Sequence, residues 1–314
     1  MPRSPERAAA RADRPTILVV SDQRDWHARQ MEAAFAAAGA RVERIDLAEC
    51  GFDTRSASGL KLPSLGSRLP DAVHVRTLSA GSFEAVTKRL GVLHALRELG
   101  VVVWNDARAI ERCVDKSMTS FLLARAGLPT PPTWTLERAE VARALVEREA
   151  PHGPLVLKPL FGAQGKGLRL IERLEDLPAP QEVAGVYYLQ RFQSNGAQDF
   201  RDYRLFVLRG RVVAAMMRRA STWITNVKQG GQPFAVARDP AMERLAVAAA
   251  EAVGAAIAGV DVLVTADGAP TVLEVNSMPA WGGLQKVSRR NVARAIASAL
   301  MDELAGRSLQ RRAL

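Results

Sequence analysis

The sequence predicts a mixed architecture, α/β in its first third and α+β beyond it, and three stretches carry that expectation. The first is a β-α-β opening. PTILVVS at 15–21 is an unbroken apolar run bounded by Pro and polar residues, 25–39 reads as a helix ending at Gly39, and RVERID at 41–46 alternates as a second strand. Such a unit points to a doubly wound parallel sheet. The second is a pair of strands, 202–207 and 211–219, joined at Arg209-Gly210. The third is GVDVLVTADGAPTVLEVNSMPAW at 259–281, two Val- and Leu-rich runs about Asp267-Gly268, a strong signal for a short hairpin turn.

Composition bounds the rest. The 314 residues are 48% apolar and 24% charged, enough for one large core or two to three lobes. No apolar run approaches the length of a membrane span. Residues 1–14 are rich in Arg and Ala, lack the apolar centre of a signal peptide, and are expected to form a disordered leader. Cys50 and Cys113 lie far apart in sequence, which suits a reducing cytosol rather than a disulfide framework, so a cytoplasmic location is expected. The four histidines show no metal-ligand spacing. A net charge of +10 attracts polyanions or acidic substrates. The arginines are dispersed, and only 5% of residues are aromatic, few for a nucleic-acid stacking platform.

A first domain is expected over 15–105. DAVHVR at 71–76 is a strand ending on Arg76, which meets either an acidic ligand at the carboxyl end of the sheet or an ion-pair partner. A helix over 82–100 and VVVWN at 101–105 close the domain. SDQRDWHARQ after the first strand holds no glycine, which argues against a dinucleotide fold.

A first lobe is expected over 106–190. It begins with a helix pair ended by Gly127 and the prolines 129, 131 and 132. Lys116 follows Asp115 at the start of the second helix, where a helix terminus and a lysine together favour an anion. LVLKPLFGAQGKGLRLI at 155–171 is two strands about a loop holding Gly162, Gly165, Gly167, Gln164 and Lys166. Glycines there let backbone amides approach phosphates, although the spacing is not that of a Walker loop. Lys158 falls inside a strand, where a buried charge is costly, and a phosphate would offset that cost. VYYLQRF at 186–192 is a further strand, with Leu189 and Phe192 placed to line an adenine slot.

A second lobe is expected over 191–305, followed by a basic tail at 306–314. Arg204, Arg218 and Arg219 supply cations toward the acidic hairpin, and TNVKQGG at 225–231 is a polar glycine loop. An Ala-rich helix over 239–258 turns Leu245, Ala249, Ala252 and Ala256 inward. The final helix is expected at 287–304, with residues beyond 306 frayed. In the hairpin, pairing symmetric about Asp267-Gly268 sets Asp261 opposite Glu274, with Asn276 on the same face and Val262, Val264, Leu273 and Val275 on the other. Two opposed carboxylates destabilise a sheet. A hard cation such as Mg²⁺ reverses that sign and leaves coordination positions for phosphates.

Taken together, Asp115-Lys116, LVLKPLFGAQGKG, YLQRF, DYRLFV with AAMMRR, TNVKQGG, and GVDVL with LEVNSMP resemble, in that order, the ATP-grasp superfamily, specifically the RimK-like carboxylate–amine ligases. The resemblance spans roughly residues 105–304, and the first domain fits the family's N-terminal, pre-ATP-grasp domain. It implies ATP between two α+β lobes, with Lys116 and Lys158 on its phosphates and the glycine loop closing over them. It places backbone groups around Arg191 and Phe192 at adenine, with Gln190 also in the nucleotide site, Asp202 at ribose, and Thr225 and Asn226 near the triphosphate. Asp261, Glu274 and Asn276 match ligands for Mg²⁺ or Mn²⁺, two ions being implied. Arg218 or Arg219 would neutralise an acyl phosphate, with Arg204 nearby. Position 191 departs from the pattern, carrying Arg where relatives commonly carry Glu, and the segment from 219 to 226 is short. The implied reaction joins an amino acid, glutamate in most relatives, to an acidic acceptor, either a tetrahydromethanopterin-like coenzyme or a peptide C-terminus. A homo-oligomer, dimer or tetramer, is also expected. The alternatives are a D-alanine–D-alanine or glutathione-synthetase-like ligase, and a basic nucleic-acid-binding protein with an inactive core.

Overall fold

The computed structural model describes residues 14–312 except 67, 163 and 197–199. The expected leader, apart from Arg14, and positions 313–314 of the tail lie outside the described residues. The chain divides into two compact units, Met1–Arg108 with Arg290–Leu314, and Ala109–Arg289.

The first unit opens with β1 (Thr16–Val20), α1 (Trp26–Ala37) and β2 (Arg41–Ile45), then a small hairpin of β3 (Gly51–Phe52) and β4 (Leu60–Lys61). β5 (Ala72–Val75), α2 (Phe83–Glu98) and β6 (Val102–Trp104) complete its sheet, ordered β2-β1-β5-β6 with every pair parallel. Asp25 caps α1 by accepting from the Ala28 N–H at 2.8 Å, which satisfies one of the unpaired amides of a helix start. Gly39 ends the turn after α1 at φ +89°, where a glycine meets no steric penalty. Arg76, buried just beyond β5, lies 3.7 Å from Asp25. The ion-pair alternative is therefore the one the fold realises.

His74 on β5 is 3% exposed and packs against the Phe35 ring, and neither of its ring nitrogens has a hydrogen-bond partner. Burial pushes its pKa down to about 3, with the nearby Arg76 adding to the effect. An unfolded histidine binds a proton near pH 6.5, whereas this one does not. Stability is therefore whole above that pH and falls as pH drops toward 3, by up to ~1.4 kcal/mol per pH unit. Thermal melts from pH 7 to pH 4.5 should show this slope, and His74→Leu should flatten it; an equal slope in the variant would assign the acid sensitivity elsewhere.

The second unit begins with α3 (Ala107–Val114), α4 (Lys116–Arg125), β7 (Thr133–Leu136) and α5 (Ala139–Glu149). β8 (Leu155–Lys158), β9 (Arg169–Ile171) and β10 (Tyr187–Arg191) join β7 in an antiparallel sheet, β7-β10-β8-β9. Leu155, Leu157, Tyr187 and Leu189 turn one face of that sheet onto Ala142, Leu145 and Val146 of α5. β11 (Phe200–Leu208), β12 (Arg211–Ala220), β13 (Gln232–Ala235), α6 (Pro240–Val253), β14 (Ile257–Val264) and β15 (Pro270–Asn276) follow. Their sheet, β13-β12-β11-β14-β15, is antiparallel, and the Arg209-Gly210 turn has both residues at positive φ as a tight hairpin requires. Leu205, Val207, Val260, Val262, Val272 and Val275 pack its inner face against α6.

Two helix expectations change. α6 stops at Val253 because Gly254 takes the left-handed cap at φ +76°, and Ala256 lies beyond it. Its fully buried stripe is Ala246, Ala249, Ala250 and Val253, with Leu245 and Ala252 only flanking the core. The helix expected at 287–304 is instead two, α7 (Gly282–Val287) and α8 (Val292–Arg312). α8 packs on α1 through a row including Val292, Ile296 and Leu300, so it groups with the first unit and not with the lobe expected over 191–305. It also carries the tail as helix to Arg312, with Arg307 and Glu303 paired one turn apart at 3.1 Å. Both cysteines are free and buried.

Candidate active site

Alternation on the two sheets of the second unit builds one cleft. On β8, Leu155 and Leu157 face the core, so Val156 and Lys158 face the cleft; on β10 the same parity turns Leu189 inward and Gln190 outward. Leu189 is fully buried and takes no part in an adenine slot, contrary to expectation. Phe192, past the end of β10, does line the cleft, in edge contact with Trp223 at 6.0 Å. From the facing sheet come Asp202, Arg218, Asp261, Leu273 and Glu274.

Asp261 stands directly opposite Glu274, as the hairpin pattern predicts, but by another route. Thr265 donates its N–H to the Ala269 carbonyl, making a wider turn that sets Val264 opposite Pro270 and Val262 opposite Val272. Leu273 is then an extra residue, a β-bulge that restores the Asp261–Glu274 pair. The bulge also moves Leu273 from the apolar face, where it is expected, to the cleft. Asn276 pairs with Gly259 and lies two residues along β15 from Glu274, on the same face of the strand.

The arginines differ from one another. Arg204 clamps Asp261 through both carboxylate oxygens, Nη2 at 2.8 Å and Nε closer still. Arg218 grips Asp202 in the same two-pronged way, and its Nη2 is also 3.1 Å from Asp261. Burial would raise the Asp261 carboxyl, but the two guanidinium groups outweigh it and hold the pKa below the usual range. Burial likewise opposes the charge on Arg218, and Asp261 and Asp202 more than reverse it. Gly259 makes the approach possible: a Cβ there would sit 2.7 Å from Pro279 and 3.1 Å from an Arg204 nitrogen. Arg219 is the correction. Adjacent strand residues face opposite ways, so Arg219 is exposed and does not line the cleft.

The two lysines converge. Lys116, at the start of a helix capped by Asp115, donates to the Leu160 and Gly162 carbonyls at 3.2 and 2.9 Å. Lys158 donates to Gln190 Oε1 at 2.6 Å. Burial depresses both pKa values, against the pull of Glu274, and for Lys158 the neighbouring Lys116 adds to the depression. Gln190 is thus a lysine holder whose amide nitrogen donates to Thr133 and Tyr188. Arg191 also lines the cleft. Its side chain binds Glu149 at 2.8 Å and the Gly153 carbonyl and lies 5.9 Å over Trp134, while its N–H donates to Pro132. The Phe192 N–H donates to Pro154.

The glycine loop brings Gly162, Gln164, Gly165 and Lys166 to the cleft, whereas Gly167 tucks behind, where a Cβ would lie 2.9 Å from Pro159. Thr225 and Asn226 also line the cleft, joined by Trp223 and Ile224. Those last two are absent from the sequence-derived set; a tryptophan and an isoleucine directly before a polar glycine loop are the available signal. Gly165, at φ +72°, lies against this segment, and a Cβ on it would fall 2.5 Å from Asn226 Oδ1 and 2.9 Å from Ile224. The left-handed backbone alone costs a side chain 1–2 kcal/mol, so Gly165→Ala should weaken nucleotide affinity about tenfold or more by calorimetry. An unchanged affinity would show that the loop does not close on 224–226.

The residues present fit a magnesium nucleotide. Asp261 and Glu274 are opposed carboxylates beside two desolvated lysines, a pairing of charges that a cation and phosphates complete. Among the described residues no group of three His, Cys, Asp or Glu side chains could hold an ion alone. No helix among the described residues is long and apolar enough to cross a membrane.

Comparison with known proteins agrees. The RimK-like ATP-grasp domain family matches residues 113–300. A tetrahydromethanopterin:α-L-glutamate ligase of Methanococcus maripaludis is 30% identical over 281 residues, covering 88% of this chain and 94% of the relative. The one from Methanocaldococcus jannaschii is 36% identical over 231 residues, 71% and 76% of the two chains. The solved structure of the ATP-grasp ligase PsnB complexed with a minimal precursor shares the fold, with a TM-score of 0.71 at 22% identity over 92% of this chain and 99% of that one. By family match, full-length relatives and fold alike, the chain belongs to the RimK-like ATP-grasp ligases.

Proposed function

We propose that this protein is an ATP-dependent ligase that joins the amino group of glutamate to a carboxylate of an acidic coenzyme of the tetrahydromethanopterin type. The observation that supports this most directly is the cleft-facing Asp261–Glu274 pair opposite Lys116 and Lys158. Two relatives, 30% and 36% identical, are named tetrahydromethanopterin:α-L-glutamate ligases.

In this reading a carboxylate oxygen of the acceptor takes the γ-phosphoryl group of ATP, giving an acyl phosphate and ADP. The glutamate nitrogen then bonds to the acyl carbon, phosphate leaves and the nitrogen loses a proton. Phosphoryl transfer needs placed cations more than covalent help. Lys116 and Lys158, both withdrawn from water, favour an anion between them. Arg218 faces the same space and suits the charge of the acyl phosphate. Asp261, Glu274 and Asn276 would hold Mg²⁺, which supplies charge neutralisation at the phosphates; two ions would share these side chains with phosphate and water.

The test is ADP release by the purified protein with Mg-ATP, glutamate and the coenzyme, followed by mass spectrometry of the product. Glutamate-dependent ADP release with a glutamyl unit added to the coenzyme is expected. ADP release only with a peptide acceptor would move the assignment to a peptide terminus, and failure to bind Mg-ATP would overturn the ligase reading. Light scattering on the same preparation tests for the dimer or tetramer.

A further inference from the structure

The acceptor of the Lys158 ammonium is held in one orientation by its neighbours. Gln190 is 2% exposed, and its Oε1 takes a hydrogen from Lys158 Nζ at 2.6 Å. An ammonium only donates, so a reversed amide would set N–H groups against the charge and leave a buried cation without this acceptor. An isolated glutamine amide has little reason to prefer either orientation. The choice falls to what its nitrogen meets, Thr133 Oγ1 at 3.2 Å and Tyr188 Oη at 3.4 Å.

Both hydroxyls offer lone pairs to that nitrogen. Thr133 stands directly opposite Gln190 on β7, and its hydroxyl donates to the Pro131 carbonyl at 2.9 Å. Tyr188 is 2% exposed, stands opposite Lys158 in the β8–β10 pair, and lies 2.8 Å from Ser120 Oγ. Burial raises its phenol to about 12, so it keeps its proton. A hydroxyl has one hydrogen to give, and with that hydrogen on Ser120 the Tyr188 oxygen accepts from Gln190. Two acceptors on one side and an ammonium on the other are met by a single amide orientation. Ser120 lies one turn from Lys116 on α4, so the helix that carries one lysine also supports the other.

We propose that Thr133 and Tyr188, the latter set by Ser120, are positioning residues for Lys158: they lock the Gln190 amide with its oxygen toward the ammonium. The lysine then keeps a fixed place in the cleft and further hydrogens for a phosphate. This rests on the ligase reading above and adds to it the roles of three residues that the family resemblance leaves unassigned.

The test is a double-mutant comparison by calorimetry with Mg-ATP. Tyr188→Phe and Thr133→Val remove the hydroxyls and keep the shapes. Each should weaken binding about threefold, and the two together about tenfold. The same changes are then made in Gln190→Glu, whose carboxylate presents an oxygen to Lys158 whichever way it turns. There they should alter affinity by less than about twofold relative to Gln190→Glu alone. Suppression in that background marks amide orientation, since a general loosening of the fold would weaken binding in both. Ser120→Ala makes the same comparison without altering the sheet, with about a twofold loss beside Gln190 and none beside the glutamate. Equal losses in the two backgrounds, or no loss beside Gln190, would overturn the proposal. Wild-type protein that did not bind Mg-ATP would overturn the ligase reading and this role with it, a result distinct from any difference among the variants.

Discussion

Glu274→Gln is expected to keep the fold and lose at least ~100-fold in ADP formation, because a charge aimed at the transferring group typically contributes 10²–10³ in rate. The two effects separate cleanly at this position. Glu274 is only partly buried, and its direct neighbour across the hairpin is another carboxylate, Asp261. Removing one of two opposed negative charges relieves repulsion in the sheet, so the melting temperature should be unchanged or slightly higher. The amide keeps the shape and one oxygen but not the charge that attracts a divalent ion. Activity near wild type would refute the assignment of Glu274 to the metal, whatever the melting temperature.

Lys158→Met should divide stability from function even more sharply. Lys158 ends a strand whose preceding residues are buried, and its ammonium has a neutral amide, Gln190 Oε1, as its hydrogen-bond acceptor. Burial is the largest influence and lowers its pKa, with Lys116 adding to the effect and Glu274 and Asp261 opposing it. A methionine of similar length removes that desolvation cost, so stability should hold or rise by on the order of 1 kcal/mol. Nucleotide affinity should fall by about 10- to 100-fold, since a hydrogen bond to a charged group is worth about 1.5–3 kcal/mol. Calorimetry with Mg-ATP and a thermal melt on one preparation check both. A destabilised variant that still bound ATP at wild-type affinity would mean that Lys158 is a structural residue.

Much of the candidate site was legible because it depends on short-range periodicity. In the hairpin at 257–276, period 2 alone puts Asp261 on the side away from Val260, Val262 and Val264, and Glu274 with Asn276 on the side away from Val275. The glycine loop and Lys158 were legible for a similar reason, since glycines between two strands and a lysine inside one are local anomalies. The bulge at Leu273 was not: one extra residue in the wider turn and one in the bulge cancel, leaving the Asp261–Glu274 pair where symmetry predicted it while changing the side on which Leu273 emerges. On β10, YYLQR has apolar and polar residues on both parities, so pattern could not choose between Leu189 and Gln190 for the cleft.

The sequence by itself determined the elements, the antiparallel hairpins, the opposed carboxylates and the family. Each of these rests on residues close in the chain or on motifs in order. Only the tertiary structure decided which arginine serves which acid. Arg218 reaches Asp202 and Asp261, while Arg219 emerges on the other side of its strand. It also decided that Arg191 belongs to Glu149 and Trp134, and that the last helix packs on the first. These pairings join residues from 16 positions apart to opposite ends of the chain. They are set by strand order and by which apolar faces meet in the core, and no local pattern encodes that.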